Sequence, residues 1–304
     1  MIWHDVSDPR QPELDELAAT YSLHPLHIED CRQTGRRAKV EAGDGYLFVS
    51  LKLLSLEAED RLAVSDLALF VGKDFVITVH SGPAPLLEPL LGMRNELRSD
   101  EVLYRVLDAV AESYLALAEK LEDAVEALES QVMDLPRPDV LEHIGRLRST
   151  ILHFRRVVNV TRHIAFQARH VPNTIVTPNL SPFLRDTHDD LAVILDLIAG
   201  ERDRLATILD VYLSTVANRT TEAIRTLTLL STVALPTLVV TSLFGMNIEY
   251  PSWTRSPAMF TGVFVLTVAI TLFLLWYLKR NDYLPGGTTA EERRPDRARG
   301  HPRK

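Results

Sequence analysis

The hydrophobic pattern of the chain changes period several times, and each change predicts an element. Three early runs, Gly45–Leu54 (GYLFVSLKLL), Asp66–Val71 (DLALFV) and Asp74–His80 (DFVITVH), are rich in β-branched and aromatic residues and bounded by GDG and GKD turns. They predict strands of one sheet. From Pro83 to about Ala168 apolar residues recur at three- and four-residue spacing, most clearly over Val102–Val132, with a break at DLPRP. This predicts two helical arms, the second over Asp139–Arg169. HVPNTIVTPNLSP, His170–Pro182, is dense in proline and asparagine and predicts a loop. Beyond it nothing breaks the helical pattern until Pro236. A single helix of about 60 residues, on the order of 90 Å, is therefore expected from near Phe183 to near Phe244.

The last part of that helix is uncharged. Leu227–Phe244, LTLLSTVALPTLVVTSLF, has 18 residues without a charge, enough at about 1.5 Å each to cross the hydrocarbon of a bilayer. Ser256–Leu278 is a second uncharged run, and it ends in Trp276 and Tyr277, followed by Lys279 and Arg280. Two transmembrane helices are predicted. Pro236 is compatible with the first, because neighbouring helices or water can satisfy the carbonyl it frees. Arg219 and Arg225 precede the first span, Lys279 and Arg280 follow the second, and the loop between has only Arg255. That bias places both chain ends in the cytoplasm.

One stripe of the long helix is acidic at first and hydroxyl-bearing further on. At alternating spacings of three and four it runs from Asp189 through Val193, Asp196, Gly200, Asp203, Thr207, Asp210, Ser214, Ala217, Thr221, Ile224, Thr228, Ser231, Leu235 and Leu238 to Ser242. Leu191, Leu195, Ile198, Leu205, Leu209, Tyr212 and Val216 stand ready to pack against neighbouring helices. If several copies surround an axis, the stripe lines a cation path with aspartates at one end and hydroxyls and apolar constrictions in the membrane. The alternative is a wet helix face whose hydroxyls bond their own backbone. A straight helix drifts about 20° per heptad, so the whole stripe faces one axis only if the helix tilts or supercoils.

Composition narrows the function. The 304 residues carry a net charge of -8, so no basic field points to nucleic acid as a partner. The one cysteine, Cys31, excludes an intramolecular disulfide and fits a reducing compartment. MIWHDVSDPR lacks a basic flank followed by an apolar core, so no signal peptide is expected there. The first arm is acidic and the second basic. This suggests antiparallel arms that face each other, a solvated face on each being the other explanation. His24, His27, His163, His170 and His188 lack metal-ligand spacing. Residues 284–304 form a polar, mildly basic tail suited to disorder and to contact with anionic lipid.

Between the two spans lies TSLFGMNIEYPSW, with Gly245-Met246-Asn247 at the end of the first and Glu249 just beyond. With LHPLHIEDC (Leu23–Cys31), KVE, YLFVSL, FVITVH and LDVYLSTVANRTTEAIRTLTLLSTVALP, this motif makes the chain resemble the CorA family of magnesium transporters over nearly its whole length, the tail after Tyr283 excepted. The resemblance implies an α+β cytoplasmic domain, a sheet flanked by helices, then a long stalk helix and two transmembrane helices, five copies making a homopentameric funnel. The segments expected are 1–182 (cytoplasmic domain with helical arms), 183–226 (stalk), 227–247 (pore helix), 248–255 (outer loop), 256–278 (second span) and 279–304 (basic tail).

It also implies passive uptake of Mg²⁺, with Co²⁺ or Ni²⁺ as lesser substrates, across the inner (plasma) membrane, without enzymatic activity or cofactor. Asn247 would offer the hydrated ion a neutral carbonyl oxygen from each subunit, Gly245 would let the backbone turn, Met246 would brace the ring and Glu249 would gather cations. Below this mouth the implied lining is Asp210, Thr221, Ile224, Thr228, Ser231, Leu235, Leu238 and Ser242. Thr221 stands where some members have asparagine. The family further implies gating by intracellular Mg²⁺ at carboxylates between cytoplasmic domains. Asp186 matches one of them; its partner would fall in VHSGPAPLLEP, where Glu88 is the one acid. Two rival functions remain at this point, a zinc transporter of the same superfamily and a membrane-anchored cytoplasmic scaffold.

Overall fold

Alternation along the strands determines which residues face each side of the sheet. In a computed structural model, which describes residues 1–33, 35–134, 138–171, 175–246 and 257–280, the chain divides into two compact units, Met1–Tyr212 and Leu213–Lys304. The first holds a five-stranded sheet in the order β1-β5-β4-β3-β2, made of β1 (Ile2–Val6), β2 (Lys39–Ala42), β3 (Tyr46–Leu56), β4 (Leu62–Gly72) and β5 (Phe75–His80). β1 runs parallel to β5; the other pairings are antiparallel. The three predicted strands are present, and β4 begins earlier than expected. The short β1 and β2 at the two edges were not predicted from pattern.

On β3, Leu47, Val49, Leu51 and Leu53 face one side and Tyr46 and Phe48 the other. Two small helices, α1 (Pro12–Thr20) and α2 (Pro25–Arg32), cover the Tyr46 side through Leu14, Leu17 and Ile28. The Tyr46 hydroxyl accepts the His24 N–H at 2.8 Å and lies 2.8 Å from His27 Nδ1, while His27 Nε2 lies 3.1 Å from Glu41. Burial outweighs Glu41 and lowers the His27 pKa, so the ring is neutral, donating from Nε2 and accepting from Tyr46. Cys31 is held in the same layer, and burial pushes its thiol up to about 12, which leaves it inert near neutral pH.

The opposite face carries the long helices. After a short α3 (Glu88–Gly92) come α4 (Ser99–Asp134), α5 (Pro138–Ala168) and α6 (Ser181–Gly245), close to the predicted arms and long helix. Val106, Val110, Leu117, Leu121 and Leu128 of α4 pack in one core with Leu147, Ile151, Phe154 and Val158 of α5 and the β3 leucines. Fully burying such a side chain contributes about 1.5–3 kcal/mol. At the centre the buried Tyr114 hydroxyl donates to the Lys52 carbonyl at 2.6 Å, and its ring meets Phe154 edge-on at 5.9 Å. The two arms thus meet through apolar residues. Among the described residues no ion pair joins α4 to α5, so their opposite charges are solvated faces.

The predicted loop is shorter than its sequence span. Pro178–Leu180 form a 3-10 turn and α6 already begins at Ser181. Thr177 donates to the buried Asp100 at 2.7 Å, which fastens this segment to the first turn of α4. The second unit contains the remainder of α6 and α7 (Pro257–Arg280).

Candidate functional site

In the first unit α6 turns Leu184, Leu191, Ile194, Ile198, Leu205, Ile208 and Tyr212 into the core. Leu195 and Leu209 pack at its margin, so the predicted packing face is largely correct, whereas Val216, in the second unit, is exposed. At 100° per residue Asp189, Asp196, Asp203 and Asp210 fall on the far side of the helix from the core, and all four are exposed. Asp203 pairs with Arg202 at 2.8 Å and Asp189 with His188 at 3.0 Å. Such exposed pairs hold their partners weakly and leave the acids open to a mobile cation.

In the second unit one face of α6 is turned toward α7. A cavity of about 410 Å³ lies between Thr237, Val240 and Phe244 of α6 and Val263, Thr267 and Thr271 of α7. Counting 100° per residue from that face places Ile224, Thr228, Ser231, Leu235, Leu238 and Ser242 roughly 125–175° away, with Thr221 at roughly 130°. All seven are exposed, as are Thr237 and Phe244 on the cavity side, so the direction in which the residues point distinguishes the two faces. Thr228 donates to the Ile224 carbonyl at 2.8 Å and Thr221 to that of Ala217 at 2.9 Å. Back-bonding uses the hydroxyl hydrogen and leaves the oxygen lone pairs facing outward, able to accept from the water shell of a cation. The two readings of the stripe are therefore compatible.

Gly245 is the last residue of α6, and Met246 is exposed beyond it. The described glycines with positive φ are Gly35, Gly45 and Gly82, so Gly245 makes no left-handed turn. A Cβ there would meet nothing within 4 Å. Among the described residues nothing requires a glycine there. Asn247, Glu249 and Arg255 lie outside the described residues, as does the tail.

A second constellation is acidic. Asp186 on α6 stands among Asp108 of α4 and Asp190, one turn further along α6. Burial first, then Glu112, raises the Asp108 pKa, and Asp186 adds to the rise. Burial, then Asp186 and Asp108, raises that of Asp190. Mutual repulsion of this kind is relieved by a cation. Among the described residues no group of three or more His, Cys, Asp or Glu side chains is close enough to hold a metal ion by itself. Glu88, the proposed partner, is exposed at the start of α3. Asp108 and Asp190 were missed from sequence; the available signal was the four-residue spacing of Asp108/Glu112 and Asp186/Asp190, which puts each pair on one helix face.

Two helices, α7 and the one ending at Gly245, are long and apolar enough to cross a membrane. The family model for CorA-like Mg²⁺ transporter proteins matches residues 1–280. The chain belongs to the CorA family. It is 27% identical over 273 residues, 87% of this chain and 78% of the relative, to the cobalt/magnesium transport protein CorA of Thermotoga maritima. In fold it is similar to the complete CorA magnesium transporter of Methanocaldococcus jannaschii, with a TM-score of 0.81, 22% identity and coverage of 93% of this chain and 91% of that one. The zinc transport protein ZntB of Photorhabdus laumondii is 23% identical over 251 residues, 81% of this chain and 76% of the relative. CorA-family proteins are membrane transporters of divalent cations, not enzymes, and the sheet-and-helix unit, long helix and second apolar helix of this chain match their architecture. That excludes the scaffold reading.

Proposed function

We infer that this CorA-family chain is one subunit of a homopentameric path for hydrated Mg²⁺, with Co²⁺ and Ni²⁺ as lesser substrates. The observation that carries the reading is the stripe Thr221–Ser242, which lies on the face of α6 turned away from α7. Copies arranged around an axis with α7 outside would turn these hydroxyls and the Leu235 and Leu238 side chains inward. The aspartates from Asp189 to Asp210 would then attract cations at the cytoplasmic end. Space beside Gly245 would be taken up by neighbouring subunits, and five Asn247 carbonyls would accept from the water shell that Mg²⁺ retains. Glu249 would concentrate cations at the outer mouth, with both termini cytoplasmic and the chain in the inner (plasma) membrane.

Uptake needs no nucleotide hydrolysis. A divalent ion gains about 4.6 kcal/mol per 100 mV of inside-negative potential, twice the single-charge value. Gating by intracellular Mg²⁺ has a physical basis in the acidic group of Asp186, Asp108 and Asp190, with Glu88 as a further candidate. Ion binding between subunits would relieve their repulsion and hold a closed arrangement, and loss of the ion would release it. The test of the mouth is Mg²⁺ and Co²⁺ flux into liposomes containing Asn247→Ala. Loss of Mg²⁺ selectivity is expected; undiminished selective flux would remove Asn247 from the mouth.

A further inference from the structure

Several arginines on the basic face of α5 have no ion-pair partner among the described residues. Arg155, Arg156 and Arg162 on α5, with Arg37 before β2, make no ion pair among the described residues, although the chain as a whole is acidic. They do not lie on a flat surface. A cleft of about 680 Å³ is lined by Arg37, Lys39, Arg162, His163 and His188. A second, of about 560 Å³, adjoins it through the shared Asn159 and Arg162 and adds Arg155 and Arg156, with Asp196 the one acid in its wall. In the first cleft Phe166 is 44% exposed, its ring 4.5 Å from that of His170 and 6.0 Å from that of His188. Concave shape, unpaired guanidinium groups and a partly exposed aromatic ring thus coincide.

We propose that this double cleft binds a nucleoside polyphosphate, its phosphates on Arg37 and Arg162 and its base stacked on Phe166. Guanidinium groups take phosphate oxygens in bidentate fashion, and the volume of the first cleft falls within the range of small-molecule sites. Lys39 already pairs with Asp30 at 2.8 Å and Glu41 at 2.6 Å, which holds it on the wall rather than at the ligand. A phosphate chain without a base would use only the arginines; the exposed ring favours the nucleoside. The clefts border the aspartate stripe at His188 and Asp196, but their arginines lie on α5 and before β2, and the proposal does not depend on the transport reading. It would let the N-terminal unit respond to the anions that bind Mg²⁺ in solution.

The test is calorimetric titration of the full chain in nanodiscs with ATP, inorganic triphosphate and adenosine, each with chelator so that no metal intervenes. Saturable ATP binding is expected, tighter than triphosphate, with adenosine weakest. Arg37→Ala with Arg162→Ala should weaken ATP at least about tenfold. Arg162→Lys, which keeps the charge, should fall between. Phe166→Ala should bring ATP down to the affinity of triphosphate and leave triphosphate unchanged. No saturable ATP binding, or equal binding of ATP and triphosphate in the unaltered chain, overturns the proposal. So does a change of oligomer size on light scattering in the double arginine variant, since the cleft would then be a seam holding an acidic face of another copy.

Discussion

Cysteine labelling along α6 reads out which of its faces meets water. The substitutions are Thr228→Cys, Ser231→Cys and Ser242→Cys on the open face, against Thr237→Cys, Val240→Cys and Thr241→Cys on the face lined by α7. The native background is low, because Cys31 is the one cysteine and burial pushes its thiol up to about 12. An exposed cysteine titrates near about 8.5, so at a labelling pH of about 8 the thiolate fractions are roughly one in four and one in ten thousand, a ratio of ~10³. A thiol turned toward lipid or a neighbouring helix stays protonated and unreactive. With a membrane-impermeant methanethiosulfonate on reconstituted protein, the open-face set should react at three- and four-residue intervals, and Mg²⁺ should slow the reaction. Reaction of the α7-facing set instead, or of both sets alike, would refute the assignment of the stripe to a water-filled path.

Asp108→Asn should stabilise the full chain at neutral pH by a few tenths of a kcal/mol, the scale of a like-charge pair one turn apart. Its sign follows from the raised Asp108 pKa: the folded chain keeps the proton to higher pH than the unfolded one, so stability falls as pH rises from the ordinary carboxylate value through the raised one. Thermal melts should therefore show the gain at neutral pH and lose it in acid, and Mg²⁺ should stabilise the unaltered chain more than the variant. Gly43→Ala should destabilise the sheet by about 1–3 kcal/mol, because a Cβ there would collide with the buried Tyr46 ring. Hydrogen exchange of the β2 and β3 amides reads it; unchanged protection would mean that the ring moves freely.

Much of the architecture was legible because it is periodic. The interior of β3 alternates and α4 repeats every three to four residues, and both patterns are strong over many residues. β1 and β2 were not read as strands because five and four residues give too few alternations, and what holds them is pairing with β5 and β3. The stripe from Asp189 to Ser242 was visible for the same reason as α4. Which side of it faces α7 was not, because that depends on Thr237 and Val240 lining one cavity with Val263 and Thr267, which lie more than twenty residues on in the sequence. Asp108 escaped notice since its relation to Asp186 joins residues far apart in sequence. The unpaired arginines of α5 had looked like a possible counterpart to the acidic arm, and only packing shows that the arms meet through Tyr114, Phe154 and their apolar neighbours.

The central claim is that this chain conducts hydrated Mg²⁺ down the membrane potential. Flux into proteoliposomes under an imposed inside-negative potential tests it most directly, with Mg²⁺, Co²⁺ and Zn²⁺ supplied in turn and no nucleotide present. The account predicts saturable Mg²⁺ entry that grows with the potential, weaker Co²⁺ entry and no need for a pH gradient. Absent Mg²⁺ entry, or Zn²⁺ entry that requires a pH gradient, would contradict it.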